Sequence, residues 1–205
     1  MDPDLPVFHG LIVYRHLRHR FSLLYPEGWP QQHLDERDGG GVAFSPNPDE
    51  PATYMLVQSH RLRVRVRPDD LDTLHEGFLD GLRQLPDLQI ESEEAHAVDP
   101  LIDLQARHTY RDGDATRKRW IRVLYQDRVQ ISLIAQGASV AAFDYWLPMF
   151  NMIMRTVQFA DWWAEATGTS WRRSLGDSGR RRGGRGEDLA PPADQTEDEG
   201  RRTEP

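Results

Sequence analysis

Alternation of apolar and polar residues along the chain predicts mostly strands, with two amphipathic helices between and after them. The longest strand candidate spans residues 53–67, where two sets of side chains alternate. One set is apolar: Tyr54, Leu56, Leu62, Val64 and Val66. The other set is basic: Arg61, Arg63, Arg65 and Arg67. Because side chains alternate across a strand, the pattern places all these arginines on one face.

A helix is predicted directly after this strand. Pro68 ends the strand, and Asp69 or Asp70 is placed to cap the helix. Its apolar stripe follows helical spacing: Leu71, Leu74, Phe78, Leu82 and Leu85. Gly77 and Gly81 lower helix stability, so their presence suggests close backbone packing there.

Four strands are predicted to follow with short connections, at residues 88–98, 101–111, 115–125 and 129–136. Strands joined by turns this short pair antiparallel. In the second of them, the residues expected inside are Ile102, Leu104, Ala106 and Tyr110. In the third, the pattern permits either Ile121, Val123 and Tyr125 or Trp120 and Leu124.

The first fifty residues predict shorter elements. Residues 11–14 read as a strand, residues 15–25 as a hairpin and residues 26–28 as a Pro-Glu-Gly turn. Residues 31–38 are polar and read as a loop, and a triple glycine at 39–41 leads into a strand at 42–44. Residues 46–51 contain three prolines and are expected to be irregular.

The strongest helical period lies near the end of the apolar sequence. Its wide face contains Phe143, Trp146, Leu147, Phe150, Ile153, Met154 and Val157. Pro148 lies within this run, so either the helix kinks there or a short turn precedes a helix whose first turn holds the proline. A short strand is expected at residues 157–160.

These elements predict an α+β fold with a single antiparallel sheet of about six to seven strands, packed by two main helices. Residues 1–166 are expected to form one domain. Residues 167–205 lack apolar periodicity and are expected to be a disordered charged tail.

Composition narrows the function. The chain contains no cysteine, which excludes disulfides and thiolate chemistry. The net charge of −8 lies before Trp171, because the tail balances its charges; an acidic domain makes nucleic acid an unlikely partner. The N-terminal sequence lacks the features of a signal peptide and no apolar run is long enough for a membrane span, so a cytoplasmic location is expected.

Few residues suggest chemistry. His9, His16, His19 and His33 do not follow a metal-ligand spacing, and the triple glycine leads into a strand rather than a helix. No serine has the context of a nucleophile. We therefore expect no enzyme activity, no cofactor and no metal.

Two candidate partner-binding surfaces remain. One is the arginine strand, defined as residues 61–67 with Arg61, Arg63, Arg65 and Arg67; its alternative interpretation is a solvated face paired with Glu91, Glu93 or Glu94. The other is an exposed part of the last helix, with Trp146, Met149 and Phe150. The basic tail segment Arg180–Arg185 is a third, weaker cationic feature.

The order of these elements resembles the PsbP-like superfamily, which includes the oxygen-evolving PsbP proteins, Ran-release factors and DcrB- and LpqN-type lipoproteins. The matching features are FSLLYPEGW at 21–29, the glycine-led strand ending FSP at 44–46, the helix after Pro68, the four-strand meander and FNMIMRTVQF at 150–159. The resemblance implies helices packed on the faces of an antiparallel sheet.

Members of such families mostly bind proteins and are not enzymes. The resemblance therefore favours a noncatalytic protein-interaction module, an adaptor or a secretion-type chaperone. Two alternatives stay open: a small-ligand binder or hydrolase with a pocket between sheet and helix, and a polyanion binder that uses the arginine strand and the tail. The sequence does not indicate the oligomeric state.

Overall fold

A computed structural model describes residues 6–7, 9–16, 20–35 and 40–159. The tail predicted at 167–205 and the end of the predicted domain lie outside these residues. The elements are β1 (Leu11–Arg15), β2 (Phe21–Pro26), β3 (Gln31–Leu34), β4 (Gly41–Phe44), β5 (Tyr54–Val66), α1 (Leu71–Arg83), β6 (Gln89–Val98), β7 (Leu101–Asp112), β8 (Ala115–Gly137), α2 (Val140–Thr156) and β9 (Gln158–Phe159).

The strands form two antiparallel sheets. The larger has six strands in the order β3-β4-β5-β8-β7-β6, and the smaller has the order β1-β2-β9. The predicted α+β class, the antiparallel pairing and the two helices are confirmed. The single sheet is corrected to two, because the β1–β2 hairpin pairs with the chain end at β9 and not with the larger sheet. The loop predicted at 31–38 is also corrected, since β3 pairs with β4 along the edge.

Strand β8 is a hairpin rather than a straight strand. The guanidinium of Arg119 donates to the side-chain oxygen of Gln136 at 2.5 Å, although 17 residues separate them. A straight strand would place them about 55 Å apart. The chain reverses at Asp127, whose φ is +52°. This confirms the two strands and the turn predicted between residues 115 and 136, and makes the larger sheet effectively seven strands wide.

Helix α2 provides the main core. Its apolar face packs between the two sheets, and Phe143, Phe150, Ile153 and Met154 are fully buried. Trp29, next to the predicted turn at 26–28, contacts the helix edge-on, with 5.5 Å between its ring centroid and that of Trp146. The helix begins after Ser139, whose hydroxyl accepts from the Ala142 amide at 3.1 Å.

Pro148 lies in the ninth position of α2, within one continuous helix. The alternative in which a separate turn precedes a helix starting at Pro148 is therefore wrong. Neither α1 nor α2 is long and apolar enough to cross a membrane, within the part of the chain that is described.

The opposite face of the larger sheet carries α1. Ile102, Leu104, Ala106 and Tyr110 of β7 are buried there, as predicted. For the strand predicted at residues 115–125, both alternative sets of buried residues are partly correct, because this part of the sheet is covered on both faces. Trp120 and Leu124 join the α2 core, whereas Val123 pairs beside Leu104 on the α1 side.

The apolar parity of β5 does not mark the buried face in the first half of the strand. Met55 and Val57 are fully buried in the α2 core, whereas Tyr54 and Leu56 are half-buried on the other face. Residues 54–57 are apolar on both faces, so the alternation that governs residues 61–66 does not extend back to them.

The close backbone packing predicted at Gly77 and Gly81 is wrong, and a glycine outside α1 shows it instead. A Cβ on Gly77 or Gly81 would meet no atom within 4 Å, so α1 has open space at both positions. Gly137, at the end of β8, lies directly against the backbone of Phe143 in the first turns of α2. Gly137 therefore permits a close approach of backbone to backbone at the junction between β8 and α2.

His108 is a fully buried histidine on the α1 face of β7. Neither ring nitrogen has a hydrogen-bond partner among the described residues. Burial, with a smaller contribution from the positive charge of Arg119, lowers the pKa of His108 from 6.5 to about 4. The imidazole is consequently neutral at physiological pH.

We expect Gly137→Ala to lower the free energy of unfolding by about 2 kcal/mol or more, because the added methyl overlaps the Phe143 backbone. Gly81→Ala should raise it by up to about 1 kcal/mol, since the new methyl enters open space in a helix. Urea denaturation of both variants measures the two effects. Equal effects of the same sign would contradict this packing.

We expect acid to destabilise the protein through His108. The unfolded chain takes up this proton near pH 6.5, whereas the folded protein resists it down to about pH 4. The free energy of unfolding therefore falls as the pH is lowered from 6.5 to about 4. The loss reaches about 3 kcal/mol near pH 4. His108→Leu should flatten the difference between unfolding free energies at pH 7 and pH 4.5. The control Gln89→Leu, at an exposed position without a titrating group, should leave it unchanged; an identical pH dependence in all three proteins would refute the assignment.

Candidate functional site

The arginine strand is the second half of β5, beyond the region that neighbouring strands cover. Strand β4 pairs only with residues Met55 to Gln58. Pairing with β8 is regular up to Arg61 and resumes only at Val66, opposite Asp127 in the β8 turn. Among the described residues, the arginine strand is therefore bordered only by the tip of the β8 hairpin.

All four predicted arginines of this strand are exposed. Arg65 forms an ion pair with Asp127, with 2.5 Å between Nε and Oδ1. Arg61, Arg63 and Arg67 form no ion pair with any described residue. The next residue after Asp127 is Arg128, which is also exposed. Arg128 falls in the short connection predicted between residues 125 and 129, and its place beside the tip brings a further cation to this surface.

The alternative pairing of these arginines with strand β6 is wrong. Strand β6 lies at the far edge of the sheet, separated from β5 by β8 and β7. Glu91 pairs instead with Lys118 at 3.1 Å, and Glu94 accepts from the Gln105 amide at 2.8 Å. Glu93 lies 4.0 Å from His75.

The second predicted surface lies inside the protein. Phe150 is fully buried and Met149 is only 7% exposed, both in the α2 core. Trp146 is partly buried and packs against Trp29 and Tyr145. The wide apolar face of α2 is thus occupied by the two sheets, and of the three side chains only Trp146 keeps partial exposure.

The predicted histidines do not form a cluster. His16 is buried and stacks on Phe21, while His9 and His33 are exposed and His19 lies outside the described residues. No group of three or more histidines and carboxylates with metal-site geometry occurs among the residues the structure describes. The basic tail segment also lies outside them.

A polar groove lies between α2 and the outer strands of the larger sheet. Its volume is about 350 Å³, and it is lined by Glu94, Gln105, Arg107, Trp120, Arg122, Asn151, Met154 and Arg155. A smaller adjoining cavity of about 130 Å³ adds Ser92 and shares Glu94, Gln105, Arg107 and Trp120. Helix α2 covers the apolar half of this sheet face, so the groove occupies the polar half.

Arg122 fixes one wall of the polar groove. Its guanidinium forms hydrogen bonds to both carboxylate oxygens of Asp103, the shortest at 2.6 Å. It also donates to the main-chain carbonyl of Met154 at 2.5 Å. That carbonyl belongs to the last turn of α2, where acceptors lack helical partners, so Arg122 ties the helix end to the sheet.

A chain of contacts forms the floor of the groove. The indole nitrogen of Trp120 donates to Gln105 at 3.1 Å, and Gln105 in turn donates to Glu94. The guanidinium carbon of Arg107 lies 4.2 Å from the centre of the Trp120 ring, in cation–π geometry. The floor is therefore held by neutral and charged contacts across three strands.

Lys118 of β8 joins α2 to β6 through two ion pairs. Burial alone would lower its pKa, but hydrogen bonds to Asp144 and Glu91 outweigh that effect and hold the pKa above its usual value. The ammonium group lies 3.0 Å from Asp144 and 3.1 Å from Glu91. It is thus a charged and fully paired group.

The polar groove was not predicted from the sequence. The available signal was the outward parity of β7, where Asp103, Gln105, Arg107 and Thr109 alternate with the buried residues. Four consecutive polar residues on one face of β7 indicate that this part of the sheet face is not covered by apolar packing. The positions on α2 that complete the groove could not be assigned without the packing.

Solved structures show which fold this is. The cyanobacterial PsbP protein of Synechocystis superimposes with a TM-score of 0.53 at 14% identity, over 78% of this chain and 97% of that one. LpqN of Mycobacterium tuberculosis, described as involved in cell envelope biogenesis, gives a TM-score of 0.54 at 15% identity, over 73% and 90%. The chain therefore has the PsbP-like fold that the resemblance implied. No family model and no curated protein matches its sequence.

We expect Arg122→Met to lower the free energy of unfolding by about 2 kcal/mol, since it leaves the largely buried Asp103 carboxylate and the Met154 carbonyl without their donor. Arg155→Met, on the exposed side of the groove, should cost less than about 0.5 kcal/mol. Chemical denaturation distinguishes the two. A loss no larger for Arg122 than for Arg155 would show that the helix end does not depend on this contact.

Proposed function

We propose that this protein is a noncatalytic protein-binding module that holds an acidic surface of its partner against the arginine strand. The observation that carries the proposal is the exposure of Arg61, Arg63 and Arg67 without an ion pair to any described residue. Arginine is well suited to such contacts, because its planar guanidinium binds a carboxylate through two hydrogen bonds.

Stability gives little reason for this concentration of charge. Exposed ion pairs contribute about 0–1 kcal/mol each, and among the described residues only Arg65 of this strand has an ion-pair partner. Repulsion among neighbouring guanidinium groups opposes folding. Val64, which is 69% exposed, lies among them. Exposed apolar and arginine side chains on one strand form the mixed surface typical of a protein interface.

The charge of the whole chain favours an oriented encounter. The net charge is −8, so a local cationic surface differs in sign from its surroundings. An acidic partner would be attracted to this surface and repelled by the rest of the molecule. The same contrast argues against a long polyanion, which would also have to approach the acidic surroundings. Polyanion binding is therefore the second candidate, distinguished by the experiment below.

Within this proposal the protein is an adaptor or secretion-type chaperone that acts in the cytoplasm. The absence of a recognisable nucleophile context in the sequence supports a noncatalytic role. A gene for a secretion system or an effector beside its own gene would support the chaperone assignment.

The test compares two variants that lose the same charge. In the first, Arg61, Arg63 and Arg67 are replaced by Gln; in the control, the exposed Arg15, Arg83 and Arg111 are replaced by Gln. We expect the wild-type protein and the control to capture the same discrete protein from a lysate of the source cells, at equal yield. The first variant should capture about tenfold less, because charge-assisted hydrogen bonds are lost.

Equal capture by the first variant, or no discrete partner for any of the three proteins, would overturn the proposal. Heparin chromatography at low salt distinguishes the second candidate. If the wild-type protein is retained and the first variant is not, while no protein partner is found, the arginine strand binds polyanions instead.

A further inference from the structure

We propose that the polar groove between α2 and the larger sheet binds a small oxyanion that also carries hydroxyl groups, such as a sugar phosphate or a hydroxy acid. The site is separate from the arginine strand, which lies at the tip of the β8 hairpin. The inference rests on three properties of the groove: uncommitted positive charge, a fixed arginine and a concave polar volume.

The positive charge of the groove is only partly neutralised. Of its three arginines, Arg122 is committed to Asp103 and to the end of α2. Arg107 and Arg155 form no ion pair with any described residue. Arg155 makes one neutral contact, from Nε to the Asn151 side-chain oxygen at 3.2 Å. Glu94 is the single carboxylate in the lining, so the three arginines exceed Glu94 and Asp103 by one positive charge.

Arg107 is held in place before any ligand arrives. Its guanidinium lies over the face of Trp120, and that indole is anchored through Gln105. Stacking occupies the face of the guanidinium and leaves its N–H donors, which lie in its plane, free for hydrogen bonds. An arginine fixed in this way loses little side-chain entropy on binding an oxyanion.

The lining of the groove indicates the rest of the ligand. The main cavity of about 350 Å³ falls within the range of small-molecule sites. Ser92, Glu94 and Gln105 line the adjoining cavity of about 130 Å³. Gln105 and Glu94 already bond to each other, but the Ser92 hydroxyl and the remaining lone pairs of the Glu94 carboxylate can still pair with hydroxyl groups of a ligand. The oxyanion would therefore bind at Arg107 and Arg155, with its hydroxylated part beside Glu94.

Nuclear magnetic resonance of the full chain tests this site. The probes are glucose 6-phosphate, citrate and, as the uncharged reference, glucose; the signal is the indole N–H of Trp120, assigned by its loss in Trp120→Phe. We expect saturable shifts with at least one charged probe below about 20 mM and none with glucose. Saturation by the sugar phosphate alone assigns a phosphate ligand, and saturation by citrate alone assigns a carboxylate.

Two variants and a control locate the binding. Arg107→Gln and Arg155→Gln should each weaken binding of the active probe by about tenfold, whereas Arg111→Gln, an exposed arginine on the same strand as Arg107, should not. Arg155 has little structural role, so its variant remains informative if Arg107→Gln is unstable. Linear shifts with both charged probes, or equal affinity in all variants, would overturn the proposal and leave Arg107 as a cover for Trp120.

Discussion

Burial of helix α2 between the two sheets is the constraint on which the rest of the structure depends. Phe143, Phe150, Ile153 and Met154 lose all contact with water there, and burial of each large apolar side chain contributes about 1.5–3 kcal/mol. The end of the helix is fixed twice, by Arg122 from the larger sheet and by Thr156, whose hydroxyl accepts from the Leu24 amide at 3.1 Å. The helix thereby joins two sheets that share no strand.

This burial also decides which surfaces are left for function. The smaller sheet and α2 cover the apolar half of one face of the larger sheet. The strands beyond their reach, β6 and β7, present Glu94, Gln105 and Arg107, and this uncovered half becomes the polar groove. The arginine strand is left open for a different reason, because β5 is longer than its neighbour β4. One surface results from incomplete coverage of a face and the other from unequal strand lengths.

Elements whose signals are local could be predicted from the sequence. Both helices, the β7 interior and the turn near Asp127 were correctly predicted, since period and turn chemistry lie within a few residues. The division into two sheets could not be, because β9 has only two residues and its pairing with Phe21 depends on where α2 ends. The helical pattern identified Met149 and Phe150 as apolar. It could not show that two sheets cover them, because that covering depends on contacts between distant parts of the chain.

The β8 hairpin contributes residues to both the arginine strand's surroundings and the polar groove. Its tip holds Arg65 through Asp127, and its first half supplies Trp120 and Arg122 to the groove. Removing Arg122, with the turn at Asp127 kept in place, would reverse the facing of the residues before it. Ile121 would then face the groove, while Trp120 would turn toward α1. Length changes in this hairpin are therefore tolerable only in steps of two residues or in the turn itself, which restricts how related sequences can diverge here.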